Sequence, residues 1–193
     1  MSKNMKTAKQ RILEAASILF YNDGINTTGI NAITEKAKVA KMSLYNNFSA
    51  KAHIISSYIE ARHQEWLDLY AVRNNEVHTP LEKILAVFDA YQDHAEFAYE
   101  KGFRGCGLLN AAAEFPADSV ERRAIKLHKD QIENIISDQL SELVENQDKA
   151  QEIALMISFI LEGSIARAGL EGSSHKIQVA KKMVLNMLEQ EVV

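Results

Sequence analysis

The sequence predicts an all-α protein, with a small N-terminal bundle of three helices ahead of a larger helical bundle. Three observations carry that prediction. The 193 residues include only two prolines and eight glycines, and helix interiors tolerate neither residue well, so their scarcity favours long helices. Apolar residues recur at spacings of three and four along most of the chain. No run of Val, Ile, Thr and aromatic residues alternates with polar ones as a strand would. Hydrophobic content of 47% and charged content of 25% describe an ordinary globular chain. No internal repeat or low-complexity segment interrupts it.

The first helix is expected from about Thr7 to Asn22, with Ile12, Ala15, Ala16, Leu19 and Phe20 as its buried stripe. Asn22-Asp23-Gly24 ends it, Gly24 being suited to a left-handed cap. A second helix starts after Thr28, whose hydroxyl is expected to cap it. It carries Ile30, Ile33 and Ala37 on one face. Lys38-Val39-Ala40 is long enough only for a turn. The third helix, about Lys41 to Asn47, puts Leu44, Tyr45 and Phe48 at helical spacing. Its other face offers Lys41, Ser43, Asn46 and Asn47, donors and amides rather than acids. A short helix held by one side, with hydrogen-bonding side chains on the other, suits a reader of the DNA major groove.

Charge points the same way. Residues 1–52 hold eight Lys or Arg against three acids, a net +5, whereas the whole chain is −4. A basic end on an acidic body is an electrostatic footprint for phosphate. Lys6, Lys9 and Arg11, near the start of the first helix, are candidates for backbone contact alongside a solvated basic tail.

A long fourth helix follows from about Ala50 to Arg73, lined on one side by Ile55, Ile59, Arg62, Trp66, Leu69 and Arg73. Asn74 to Thr79 is a polar break, and Pro80 fits the first turn of a helix continuing to about Tyr99. Lys101 to Gly107, with three glycines, reads as a loop. A short helix from Leu108 to Glu114 is stopped by Phe115-Pro116. The remaining helices are expected over Asp118–Glu145, Asp148–Ala168 and His175–Gln190. The domain boundary is placed between a segment 1–52 and a segment 53–193. The longest apolar stretch, Ile153 to Leu161, is interrupted by Ser158 and falls short of the ~20 residues that span a bilayer. The N-terminal lysines precede no apolar segment, so no signal peptide is expected. One cysteine fits a reducing compartment, and a cytoplasmic location is expected.

The run Arg11-Ile12-Leu13-Glu14-Ala15-Ala16, with Leu19-Phe20, Gly24, Thr28, Ile33, Val39 and Ser43-Leu44-Tyr45-x-x-Phe48-x-x-Lys51, resembles the helix-turn-helix domain of the TetR/AcrR family of bacterial transcriptional regulators. The likeness covers about residues 9–55 in one register. It implies a DNA-contacting set of Thr28, Asn31, Lys41, Met42, Ser43, Tyr45, Asn46, Asn47 and Lys51, with Tyr45 and Lys51 on phosphate oxygens. Lys51, near the start of the fourth helix, would also share that anion with backbone N–H groups. The sequence departs from the family at Lys38, where a turn glycine is common, and at Ala40, where a capping serine is common. Met42 replaces a small residue on the groove side and is suited to a thymine methyl, while Asn46 or Asn47 suits adenine.

Phe103-Arg104-Gly105-Cys106-x-Leu108-x-Asn110-Ala-Ala-Ala-Glu114 also resembles regulatory domains of that family. The likeness implies a ligand cavity among the body helices. Candidates to line it are Trp66, Tyr70, Phe88, Tyr91, Phe103, Cys106, Leu109 and Phe159, with polar Asn110, Glu114, His128 and Glu162. Cys106, near Arg104, is either a small buried residue or a thiol sensor. Apolar residues wrap over half the circumference of the Asp148–Ala168 helix, more than one core needs. Gly163, Ala166 and Gly169 would let a facing helix come close. With the last helix it forms the expected homodimer interface, a four-helix bundle in the resembling family.

Six histidines show no i, i+4 pair and no HExxH, and no phosphate loop or elbow serine is present. An enzyme is not expected, nor a metal or cofactor. The resemblance implies a repressor that binds a palindromic operator as a dimer and is released by a small-molecule effector. The other reading is a helical ligand-binding or interaction module whose basic end meets an acidic protein or membrane surface.

Overall fold

A computed structural model describes residues 6–191. Lys3, counted in the basic end, lies outside the described residues. Among those described there are nine α-helices and no strand: α1 (Ala8–Asp23), α2 (Ile30–Ala37), α3 (Lys41–Asn47), α4 (Lys51–Asn74), α5 (Pro80–Ala95), α6 (Gly107–Ala112), α7 (Val120–Leu140), α8 (Gln147–Glu171) and α9 (His175–Glu191). The all-α expectation holds.

The helices group into two compact units. One takes the described residues up to Arg62 together with Gly107–Arg123; the other takes His63–Cys106 with the described residues from Ala124 onward. This grouping does not follow a boundary at 52/53. It cuts α4 after Arg62, inside an unbroken helix where no change in composition marks it. It also gives α6 to the first unit, through contacts that local sequence cannot announce.

The first unit is built on α1, whose Thr7 forms a reciprocal capping box with Gln10. Ile12, Ala16, Phe20, Ile33, Leu44, Phe48, Ile54 and Tyr58 form its core. Phe20 meets Tyr58 edge to face at 5.5 Å. Gly24 ends α1 at φ +93°, a region that a side chain would strain. The expected Thr28 cap is not formed. Gly29 is the cap of α2 and makes no side-chain bond, and the Thr28 hydroxyl instead donates back to the Gly24 carbonyl at 2.6 Å. Gly107 opens α6 where a Cβ would meet the Tyr58 hydroxyl at 3.0 Å and the Tyr21 ring at 3.1 Å.

In the second unit α5, α8 and α9 pack together. Thr79 and Glu82 close a capping box on α5, with Pro80 in the first turn. That helix stops at Ala95, short of the expected Tyr99, and the Tyr99 hydroxyl donates to the His94 carbonyl at 3.0 Å. The Asp118–Glu145 helix is also shorter than expected: Leu143 N–H turns back to the Leu140 carbonyl at 2.9 Å, ending α7. Asn146 then caps α8 through Lys149 N–H at 3.1 Å. Gly169 does not serve a facing helix as expected. A Cβ there would lie 2.5 Å from Gly105 Cα, so this pair sets how closely the 102–106 loop approaches α8. By length and composition alone α8 could cross a membrane. Its Ile153, Ile157, Leu161, Ile165 and Ala168, however, form the buried stripe of a core helix.

Candidate DNA-binding face and a buried polar cluster

The turn between α2 and α3 is built with the two departures read in the sequence. Lys38 adopts φ 54°, ψ 50°, the left-handed region, and its N–H bonds to Glu35 while Val39 N–H bonds to Thr34. A side chain there costs ~1 kcal/mol against glycine. Ala40 caps α3 without an acceptor oxygen. The helix is therefore held mainly by burial of Leu44 and Phe48, both 0% exposed.

That burial fixes which side chains face water. Lys41, Met42, Tyr45 and Asn46 are exposed on α3, and Asn31 is exposed on α2. Ser43 and Asn47 are half-buried, and Asn47 spends its amide on the Ser43 carbonyl at 2.8 Å. Thr28 is buried, with its hydroxyl already committed, so direct DNA contact by that hydroxyl does not fit this geometry. Lys51 is half-buried and its ammonium donates to the Ile25 carbonyl at 2.6 Å.

The basic residues of α1 also have structural partners. Arg11 donates to the Lys38 carbonyl at 3.2 Å, covering the end of α2. Lys6 pairs with Glu14 at 2.7 Å, and Lys9 sits over the Phe48 ring at 5.9 Å. All three remain exposed.

The residues expected to line one cavity are dispersed. Leu109, Asn110 and Glu114 belong to the first unit and the others to the second. Glu114 accepts from the N–H groups of Ile25 and Asn26, both at 2.7 Å, while the Asn26 amide donates to its carbonyl at 3.2 Å. Leu109 and Asn110 are exposed, and Phe159 is 66% exposed on α8. Phe88 is fully buried core, whereas Phe103 is buried beside Tyr99. Cys106 is buried as a free thiol.

Five of the expected residues do come together. Trp66 stacks on Tyr70 with ring centroids 5.5 Å apart and planes within 3°. It lies 5.4 Å from the Tyr91 ring and 5.9 Å from the His128 ring. His128 meets His63 Nδ1 to Nδ1 at 2.8 Å, so one ring donates and the other accepts. Burial, then the nearby Lys129 charge, pushes the His128 pKa down to about 3. Lys129, absent from the sequence-based set, is the centre of the group. It donates to the Tyr91 hydroxyl at 3.1 Å and pairs with Glu162 at 2.7 Å. Burial pushes the Tyr91 phenol well up. The signal for Lys129 was present: it falls four residues after Ile125 and three before Ile132, on the inward face of α7.

Residues 12–58 match the sequence profile of the bacterial regulatory proteins of the tetR family. A curated relative is an HTH-type transcriptional regulator, named as uncharacterized, from the lacX 3' region of Lactococcus lactis subsp. lactis. It is 26% identical over 148 residues, spanning 74% of this chain and 69% of the relative. Among solved structures, a TetR-family transcriptional regulator from Streptomyces coelicolor superposes with TM-score 0.82 at 25% identity, covering 93% of this chain and 88% of that one. A TetR transcriptional regulator from Legionella pneumophila shares the fold with TM-score 0.79 at 20% identity, covering 98% and 100% of the two chains. With α3 exposed in its helix-turn-helix and an all-helical body following in the chain, residues 12–58 form a DNA-binding domain of the tetR family, and the chain as a whole is similar to TetR-family transcriptional regulators.

Proposed function

We propose that the chain is a homodimeric repressor that grips a palindromic operator with two copies of α3 and leaves it when a small-molecule effector binds the helical body. The observation that carries this reading is the division of α3: Leu44 is fully buried while Met42 is 72% and Tyr45 45% exposed. Tyr45 and Lys41 reach phosphate, Asn31, Ser43, Asn46 and Met42 meet base edges or the backbone, and Lys51 joins them by releasing Ile25. Thr28 and Asn47 support the reader from within.

The homodimer is supported by an apolar surface that one chain leaves uncovered. Leu155, Met156, Phe159 and Leu170 on α8, with Val179 and Met183 on α9, are all exposed. A two-fold copy of the same surface would cover it and set two readers on one face of a duplex. Release follows from population shift, the effector favouring a conformer whose readers are wrongly spaced. Helix α4 runs unbroken from Lys51 to Asn74 and so carries both Lys51 and Trp66. The chain acts in the cytoplasm, without a catalytic role, cofactor or membrane partner.

The test is a mobility shift on the promoter region of the chain's own gene, with and without Tyr45→Ala. Retardation by the unsubstituted protein, weakened at least tenfold in the variant, is expected. Equal retardation by both, or none by either, refutes the reading. Retention on acidic protein or anionic vesicles without retardation of DNA would favour an interaction module instead.

A further inference from the structure

The group around Tyr91 contains two buried polar atoms with nothing to bond. The indole N–H of Trp66 has no acceptor, and Glu162 Oε2 has no donor. Leaving such a group unmade costs ~1–3 kcal/mol. The first atom needs an acceptor and the second a donor. Tyr91 neighbours both residues: its ring is 5.4 Å from that of Trp66, and its hydroxyl shares Lys129 with Glu162.

The Lys129 and Glu162 charges offset each other. Lys129 is paired with Glu162 at 2.7 Å and also donates to the neutral Tyr91 phenol. His128 is 4% exposed and uncharged at neutral pH. An incoming anion would meet a Lys129 already paired, and an incoming cation a Glu162 whose other oxygen already holds that lysine. The surrounding surface is aromatic, with Trp66 and Tyr70 parallel. Tyr70 is half-buried and the Glu162 side chain 29% exposed, so the group is not sealed from solvent.

We propose that this group binds an uncharged aromatic molecule of the phenol class, whose polar substituents accept from Trp66 Nε1 and donate to Glu162 Oε2. A hydroxyl both accepts and donates, and the ring supplies the apolar body that Tyr70, Trp66 and Tyr91 select. The inference rests on the reading of the chain as an effector-responsive regulator and names the chemistry of that effector.

The sole tryptophan of the chain is Trp66, so its fluorescence reports the site directly. The purified full chain is titrated with 4-ethylphenol, ethylbenzene, 4-ethylbenzoate and 4-ethylbenzylamine, probes of one size that differ in polarity and charge. The expected result is a saturable change with 4-ethylphenol at a concentration about tenfold or more below the others, the worth of one buried hydrogen bond. Trp66→Phe is expected to weaken 4-ethylphenol about tenfold by calorimetry while leaving helicity unchanged. No saturable change with 4-ethylphenol overturns the proposal, leaving water as the partner of both atoms. Equal binding of ethylbenzene or of either ion also overturns it. Should Trp66→Phe fail to fold, the probe series on the unsubstituted chain decides alone. A chain that retards DNA yet ignores 4-ethylphenol refutes this inference only, whereas one that binds the phenol and no DNA refutes the regulator reading.

Discussion

The Glu114 carboxylate accepts the N–H of Ile25 at 2.7 Å across 89 residues of chain, and its other oxygen accepts Asn26 N–H at the same distance. One acidic side chain beyond α6 thus satisfies both donors of the turn that leads into the helix-turn-helix. On the other side of that turn the Lys51 ammonium donates to the Ile25 carbonyl. Ile25 is held at both its N–H and its C=O, and its side chain is buried.

Glu114→Ala is therefore expected to destabilise the first unit by about 2–3 kcal/mol, since hydrogen bonds to a charged acceptor are worth ~1.5–3 kcal/mol each and this site is half-buried. Glu114→Gln should lose roughly half of that, because an amide oxygen replaces one acceptor only. Amide hydrogen exchange at Ile25 and Asn26 reads the effect directly. Unchanged protection in Glu114→Ala would show that the turn holds itself.

Lys51→Ala is expected to do two separable things. Thermal unfolding without DNA should show a loss of about 1 kcal/mol from the missing bond to Ile25. Operator binding should weaken alike for all sequences, and the log–log salt slope should flatten by ~0.9 for each phosphate that the protein no longer neutralises. A salt slope that does not move would leave Lys51 as a structural group alone.

The α2–α3 turn has room for improvement. Lys38→Gly should stabilise by up to ~1 kcal/mol, because the left-handed backbone at φ 54° no longer meets a Cβ. Ala40→Ser should add ~0.5–2 kcal/mol by giving α3 an acceptor at its cap. The two residues lie close enough to couple, so the double variant is the informative one. Denaturant midpoints that fall instead of rising would show that these side chains are engaged elsewhere.

His128 predicts a slope of stability with pH. Its pKa is about 3 in the folded chain against ~6.5 when unfolded. Above the unfolded value both states are neutral and the group contributes nothing. Between ~6.5 and about 3 the unfolded state binds a proton that the folded state refuses, so stability falls as pH falls. The loss approaches ~1.4 kcal/mol per pH unit within that window. His128→Gln should remove close to one proton from the slope measured by denaturant titrations across the window. An unaltered slope would place the proton uptake on other groups.

Phe159→Glu is expected to convert a dimer into a monomer without loss of helicity, because it puts a charge in the middle of the exposed apolar face of α8. Sedimentation velocity distinguishes the two masses. A variant that keeps the mass of a dimer would place the pairing surface elsewhere.

The helices were legible because their signals are local. Apolar spacing, Pro80 at the start of α5 and the glycine after α1 each act within a few residues, and most helix boundaries follow within a few positions. The reader face of α3 was legible for the same reason: burying Leu44 and Phe48 leaves Met42, Tyr45 and Asn46 turned the other way. Roles that depend on partners distant in the chain were not. Thr28 looked like a cap and is a buried donor to Gly24; Glu114 looked like a cavity wall and holds Ile25; Phe159 looked inward and faces out.

The sequence by itself determined the helical class, the positions of most helices and the family-specific face of α3, since periodicity and short motifs dictate these over one or two turns. Only the tertiary structure decided that Glu114 belongs with the DNA-reading unit and that Lys129, between Tyr91 and Glu162, is the charged centre of the body. Hydrogen bonds and ion pairs between residues tens of positions apart depend on where folding brings their atoms, which no local pattern encodes.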